Sequence, residues 1–284
     1  MRTTTLSCSI ARSTALLVGV SLFVSVTAGC AADSESKSSE PEVTGTTAAM
    51  SFDAWEKTVH READTGYWIV NGDEVMTERS ELRSFYEKYV QNGALIVHAP
   101  GGTDAKWDDT QKLNITYCVS KSSFGSRYDA VVSAMSSATN TWAGAANVKF
   151  VHESGQDGSC TASNDNVVFD VRQTSDTSYL ARAFFPDDSR ASRNVLISTS
   201  AFGDTGVYTL AGILRHELGH TLGFRHEHTR PESGTCFEDD QWRELTSYDS
   251  ASVMHYPQCN GSNTGDLVLT SKDRQGAVAL YGSP

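Results

Sequence analysis

The stretch His216-Glu217-Leu218-Gly219-His220-Thr221-Leu222-Gly223-Phe224-Arg225-His226 decides the reading of this chain. On an α-helix His216 and His220 stand four residues apart, so both imidazoles leave one face, a turn apart, and can ligate one ion. Glu217 sits between them in sequence, placed to act on a water at the metal and not to ligate beside that pair. If the helix continued, six further residues would carry His226 about 9 Å along the axis and onto another face. Gly223 removes the difficulty, because glycine adopts φ > 0, ends the helix and returns the chain so that His226 completes the set. Three histidines leave a fourth position open, which is the pattern of a catalytic zinc and not of a closed structural one. The rival reading, an amphipathic core helix with incidental histidines, requires two His at i, i+4, the intervening Glu, the Gly and the third His all to coincide.

Farther along, Ser252-Val253-Met254-His255-Tyr256 has the form of a methionine turn. Together, HExxHxxGFxHE and SxMHY resemble the metzincins, and within them the astacin-like branch, whose marker is the Glu directly after the third histidine, here Glu227. Pro231-Glu232 departs from the usual astacin continuation. There, and in its short catalytic region, the chain looks more like the bacterial dual-action HEIGH metallopeptidases. The resemblance implies one catalytic Zn2+ held by His216, His220 and His226, with Glu217 as general base. It also implies Met254 as an apolar floor and Tyr256 as a switchable ligand that stabilises the oxyanion. The implied fold class is α+β. It comprises a twisted, mixed five-stranded sheet with an antiparallel edge strand, an active-site helix, the Met turn and a C-terminal helix, preceded by a small pro-module.

The activity so implied is zinc-dependent endopeptidase cleavage of extracellular polypeptides. A rival of another class is a non-catalytic surface protein that keeps the fold and binds peptides along the edge strand; the retention of all four site groups speaks against it. Matrixin-like and serralysin-like proteases are nearer rivals, opposed by Glu227 and by the lack of Gly-rich calcium repeats.

The 284 residues suffice for one or two domains, and a formal charge of −12 argues against a nucleic-acid partner. Arg2 and Arg12 precede an apolar run from Ala15 to Val26, too short to span a bilayer comfortably, so residues 1–29 read as an export signal. Thr27-Ala28-Gly29-Cys30 resembles a lipobox that would lipidate Cys30; plain secretion is the alternative, and a lipid anchor is the one membrane contact expected. Apart from Cys8 and Cys30, four cysteines remain: Cys118, Cys160, Cys236 and Cys259. In an exported domain they read as two disulfides with three possible connectivities. Cys118 with Cys160 and Cys236 with Cys259 is the preferred order, because each pair flanks one structural unit.

Residues 30–50, rich in Ser, Glu, Thr and Ala, read as a disordered tether. Residues 51–105 carry Trp55, Tyr67, Trp68, Phe85, Tyr86 and Tyr89, with helical periodicity from Glu78 to Gln91, and read as a propeptide or accessory module ending in a flexible Gly101-Gly102-Thr103-Asp104 joint. Residues 106–284 form the catalytic domain, taken to act as a monomer. Strands are expected at Leu113–Val119, Val148–Val151, Val167–Val171, Tyr179–Phe185 (the edge) and Asn194–Ser198, and helices at Arg127–Trp142, from about Tyr208, and at Ser271–Tyr281 behind Thr270 as N-cap.

Val70-Asn71-Gly72-Asp73 admits two readings. Astacin propeptides resemble it in a Phe-x-Gly-Asp segment whose Asp fills the open zinc position; Val70 replaces the Phe. An ordinary β-turn suits Asn-Gly-Asp equally well. Glu238-Asp239-Asp240 is weighed as a calcium cluster against a solvated loop, and the loop is preferred for want of ligand spacing. His60, His98, His152, His228 and His255 are read as surface or hydrogen-bonded core residues, with His255 the best exception.

Overall fold

Apolar runs bounded by turn residues form the centre of the molecule, seen in a computed structural model that describes residues 52–70, 72–86, 96–236, 238, 241–263 and 265–284. The expected signal, tether and Cys30 lie outside the described residues, as do Asn71, Tyr89, Asp239 and Asp240. Residues 48–284 cluster as one compact unit. No helix among the described residues is long and apolar enough to cross a membrane.

The chain begins with α1 (Phe52–Trp55), β1 (His60–Arg61), β2 (Trp68–Val70), β3 (Glu74–Met76) and α2 (Arg79–Phe85). The three strands make an antiparallel sheet in the order β1-β2-β3. Phe52, Trp68, Val70, Leu82 and Tyr86 give this module a core of its own. The helix expected to reach Gln91 is described only to Tyr86.

Next comes β4 (Val97–His98), whose Val97 already belongs to the main core. The expected joint after it contains a 3-10 turn, Pro100–Gly102, and Asp104 is ion-paired with Arg243. The main sheet is built from β5 (Ile115–Val119), β6 (Phe150–His152), β7 (Phe169–Thr174), β8 (Ala181–Arg182) and β9 (Asn194–Ser198), in the order β6-β5-β7-β9-β8. All pairings are parallel except β8 with β9, so the mixed five-stranded sheet with an antiparallel edge is present. β9 is buried along its whole length, as a parallel strand covered on both faces must be.

The edge strand is shorter than the expected Tyr179–Phe185. Pro186 has no N–H to offer, and the Phe185 N–H donates to Asp188 Oδ2 at 2.8 Å and not to a ladder partner. Short α3 (Lys121–Phe124) and long α4 (Tyr128–Ala143) follow β5, and α5 (Leu210–Thr221) packs on α4, where Trp142 Nε1 donates to the Arg215 carbonyl at 2.9 Å. The last elements are β10 (Trp242–Arg243), antiparallel to β4, and α6 (Ser271–Tyr281).

Two caps fix α5 as a platform. At its start the Thr209 hydroxyl accepts from the Gly212 N–H, one residue pair later than the sequence suggested. At its end the otherwise orphaned Thr221 and Leu222 carbonyls accept from the Trp107 indole and the Tyr281 hydroxyl. α6 in turn holds the Met turn: Asp273, part of the Thr270 capping box, accepts from Ser252 Oγ and the Val253 N–H.

Candidate active site

Helix α5 presents His216 and His220 side by side, and the chain then reverses at Gly223, whose φ is +93°. The Gly223 N–H donates to His220 O and the Phe224 N–H to Gly219 O, the paired bonds of a Schellman ending. A Cβ on Gly223 would lie 2.1 Å from Ala105 O, so glycine is demanded twice over. The returning strand is sewn to β4 by His98 N–H to Gly223 O and Arg225 N–H to Ile96 O. His226 is thereby brought back to the helix, with its Nε2 3.2 Å from His216 Nε2.

The protons on the three imidazoles follow from their partners. His216 Nδ1 faces the Val253 carbonyl at 2.8 Å and His220 Nδ1 the Phe224 carbonyl at 2.8 Å, and a carbonyl only accepts. His226 Nδ1 donates to Glu238 Oε1 at 2.6 Å. Each Nδ1 therefore carries a hydrogen, which leaves Nε2 as the inward-facing atom that each neutral imidazole could offer a metal.

Asp73 of the module enters this space. Its Oδ2 lies 3.3 Å from His216 Nε2, and its Oδ1 3.3 Å from His226 Nε2 and 3.7 Å from His220 Nε2. Tyr256 Oη donates to Asp73 Oδ2 at 2.6 Å, and a Cβ on Gly72 would meet that same phenol oxygen at 3.1 Å. The sequence-chosen His216, His220, His226, Asp73 and Tyr256 thus converge at one point.

These residues fit zinc on three counts. Donors about 2.0–2.1 Å from a tetrahedral ion lie about 3.3 Å from one another, close to the spacings observed. Two lone pairs facing each other at 3.2 Å repel unless a cation lies between them. His220 Nε2, Asp73 Oδ1 and Glu217 Oε2 are buried without a hydrogen-bond partner. Burial opposes charge on both His226 and Asp73, yet the Glu238 and Asp73 carboxylates hold His226 well above the usual imidazole range, and the neighbouring positive charge holds Asp73 well below the usual carboxylate range. Burial drives Glu217 well above that range, with the Asp73 charge adding to it, and pushes His220 down to about 4.

The other chosen residues brace the site. Glu227 accepts from Arg230 and from the Asp249 N–H, while its own N–H donates to Met254 O, tying the third-histidine loop to the Met turn. Met254 lies under α5, where a Cβ on Gly219 would approach its Sδ to 2.4 Å; Gly219 was not singled out from the sequence. Cys118 is bonded to Cys160 and Cys236 to Cys259, the preferred pairing.

Glu238 corrects the reading of residues 238–240 as a calcium cluster or solvated loop. It is buried and accepts from both His226 Nδ1 and His228 Nε2, while His228 Nδ1 accepts the Tyr256 N–H. Its carboxylate is consumed by imidazoles, and Asp239 and Asp240 lie outside the described residues. The adjacent cleft, about 280 Å³, is lined by Asp73, Tyr179, His216, Glu217 and Tyr256 among others.

Residues 106–233 match the peptidase family described as Matrixin. Among curated proteins, the chain is similar to embryonic protein UVS.2 of Xenopus laevis, 36% identical over 77 residues that cover 22% of this chain and 15% of that protein. It is also similar to nematocyst expressed protein 6 of Nematostella vectensis, 32% identical over 85 residues (23% and 30%). With zinc metalloproteinase nas-30 of Caenorhabditis elegans it shares 41% over 71 residues (18% and 9%). The chain therefore spans less than a third of the length of these relatives. Among solved structures it is similar to high choriolytic enzyme 1, a hatching enzyme zinc-protease of Oryzias latipes, at 22% identity and a TM-score of 0.42, covering 63% of this chain and 96% of that one. The Matrixin match and the curated relatives support a metzincin zinc protease, the level that the matrixin and astacin-like branches share.

Proposed function

We propose that this protein is a zinc endopeptidase held latent by the part of residues 51–105 that precedes β4, since β4 and Ala105 brace the third-histidine loop. The observation that supports this most is the convergence of His216, His220 and His226 on one point, with the partnerless Glu217 Oε2 buried on α5. When bound by His216, His220 and His226, zinc supplies a Lewis acid and lowers the pKa of a water towards about 7.

Everything else is work for the chain. Glu217 takes the proton of the attacking water and returns it to the leaving amine. Tyr256 donates its phenol hydrogen to the oxyanion once Asp73 has left, since the same hydrogen now serves the Asp73 carboxylate. His228 holds the Tyr256 backbone in position for that exchange. Asp73 blocks the site until the module is displaced.

The finer assignment as astacin-like rests on Glu227 and the SVMHY turn, and the leaning within it to the bacterial HEIGH metallopeptidases on Pro231-Glu232 and the short catalytic region. An extracytoplasmic setting is supported by the two disulfides. Lipidation at Cys30 is checked by acyl labelling, expected to vanish in Cys30→Ser; labelling of neither form would leave plain secretion.

The decisive measurement pairs zinc content with peptide turnover. Glu217→Ala is expected to keep its zinc and lose about 10²–10⁴-fold in turnover. Near-wild-type turnover in the zinc-loaded variant would sink the assignment.

A further inference from the structure

His226, His228 and Glu238 form a second buried cluster, close enough together to hold a cation. The hydrogen positions argue against one. The Tyr256 N–H can only donate, and it meets His228 Nδ1 at 3.1 Å, so a neutral His228 carries its hydrogen on Nε2. That nitrogen faces Glu238 Oε1 at 3.0 Å, and His226 Nδ1 faces the same oxygen at 2.6 Å. Neither nitrogen keeps a lone pair for a second ion. One carboxylate oxygen instead receives two imidazole N–H groups.

The two imidazoles lead to different parts of the site. His226 leads to the metal. His216 and His220 direct their Nδ1 hydrogens to the backbone carbonyls of Val253 and Phe224, so among the described residues His226 is the one ligand oriented by a side chain, and by a charged one. A carboxylate on the far nitrogen fixes the ring and makes the near nitrogen a stronger donor to a metal. His228 leads to Tyr256. Its ring lies 4.7 Å from that of His226 and 4.7 Å from that of Tyr256, and its Nδ1 holds the backbone from which the phenol extends. The segment carrying Glu238 is itself anchored beside both: Cys236, just before it, is bonded to Cys259, just past Tyr256. Glu238 Oε2 makes no hydrogen bond among the described residues and faces Arg225 Nη2 at 3.6 Å, which supplies the opposite charge that a buried carboxylate needs.

We propose that Glu238 is a positioning residue shared by the metal site and the oxyanion site. Through His226 it sets how tightly zinc is held, and through His228 it sets where Tyr256 stands when the phenol meets the oxyanion. It touches neither the metal nor the substrate. The inference rests on the zinc-peptidase reading above, and adds to it the side chain that couples its two halves.

The test takes the full chain with Asp73→Ala as parent, in which the fourth zinc position is open, and adds Glu238→Gln, which keeps the size of the side chain and an acceptor oxygen but removes the charge. Zinc affinity is read by competition with a chelator, and turnover with a fluorogenic peptide at saturating zinc. Glu238→Gln is expected to weaken zinc binding about 10–100-fold. With zinc restored to saturation, kcat should still fall about tenfold while KM changes little, because the oxyanion forms only in the transition state. In a Tyr256→Phe background, where the phenol hydrogen is already gone, the same substitution should lower kcat far less. Zinc affinity within about twofold of the parent overturns the proposal, and so does a kcat loss that is absent, or as large in Tyr256→Phe as in the parent. A carboxylate that merely filled buried space would give those results, since Gln fills it as well. If Glu238→Gln fails to fold, Glu238→Asp, which keeps the charge but draws the oxygen back by one methylene, takes its place under the same criteria. If the zinc-loaded parent turns over no peptide, before or after limited proteolysis, the peptidase reading falls, and Glu238 is then judged on zinc affinity alone.

Discussion

Gly223 is the residue on which the geometry of the metal site turns. Its φ of +93° is strained for any side chain, and the Ala105 carbonyl fills the space a Cβ would need. Gly223→Ala is therefore expected to destabilise the fold by about 1–3 kcal/mol from backbone strain alone, with the contact to Ala105 adding to it. Because the same residue aims His226, zinc affinity should fall too; denaturant melts and zinc titration check both, and wild-type values in each would mean that the turn is not demanding. The site residues legible in the sequence were those set by local spacing on one helix and one turn. Glu238, Glu62 and Arg182 had no such signal: Glu62 and Arg182 are 120 residues apart and meet only because two elements dock.

At the scale of elements, the two disulfides brace different parts of residues 106–284. Cys118–Cys160 fastens β5 to the loop ahead of β7, and Cys236–Cys259 fastens the loop after the third histidine to the segment beyond the Met turn. With separations of 42 and 23 residues, each is expected to contribute about 2–4 kcal/mol. Reduction should lower the melting temperature while zinc stays bound, because the metal cluster is built from histidines and a carboxylate. Calorimetry with metal analysis reads both, and an unchanged melt would remove the disulfides from the stability argument. The strands and helices were legible because burial on both faces writes continuous apolar runs and helix faces write a 3.6 period. The edge strand was read too long because apolar Ala183, Phe184 and Phe185 continue the run. They are buried by packing outside the ladder, a choice made by Pro186 and Asp188.

The whole molecule sets a hydrogen-bonded module against a site that it fills. Asp73 sits among three imidazoles and the Tyr256 phenol, Glu62 pairs with Arg182, and Glu74 reaches Arg225. The β-turn and the latency readings of Val70-Asn71-Gly72-Asp73 are compatible, since a tight connection between β2 and β3 is what projects the carboxylate. Asp73→Ala removes the group at the open zinc position but leaves the Glu62 and Glu74 anchors, so latency should weaken and not vanish. The variant is expected to process itself faster and to show measurable turnover before cleavage, whereas the uncleaved wild type stays nearly silent. Glu62→Gln with Asp73→Ala should weaken latency further than either alone, because the two carboxylates anchor the module at separate points. The readout is the time course of processing on a gel alongside turnover of a fluorogenic peptide. Full activity of the uncleaved wild type would show that residues 51–105 are an accessory module, and that zinc in solution displaces Asp73 or tolerates it without loss of the open position.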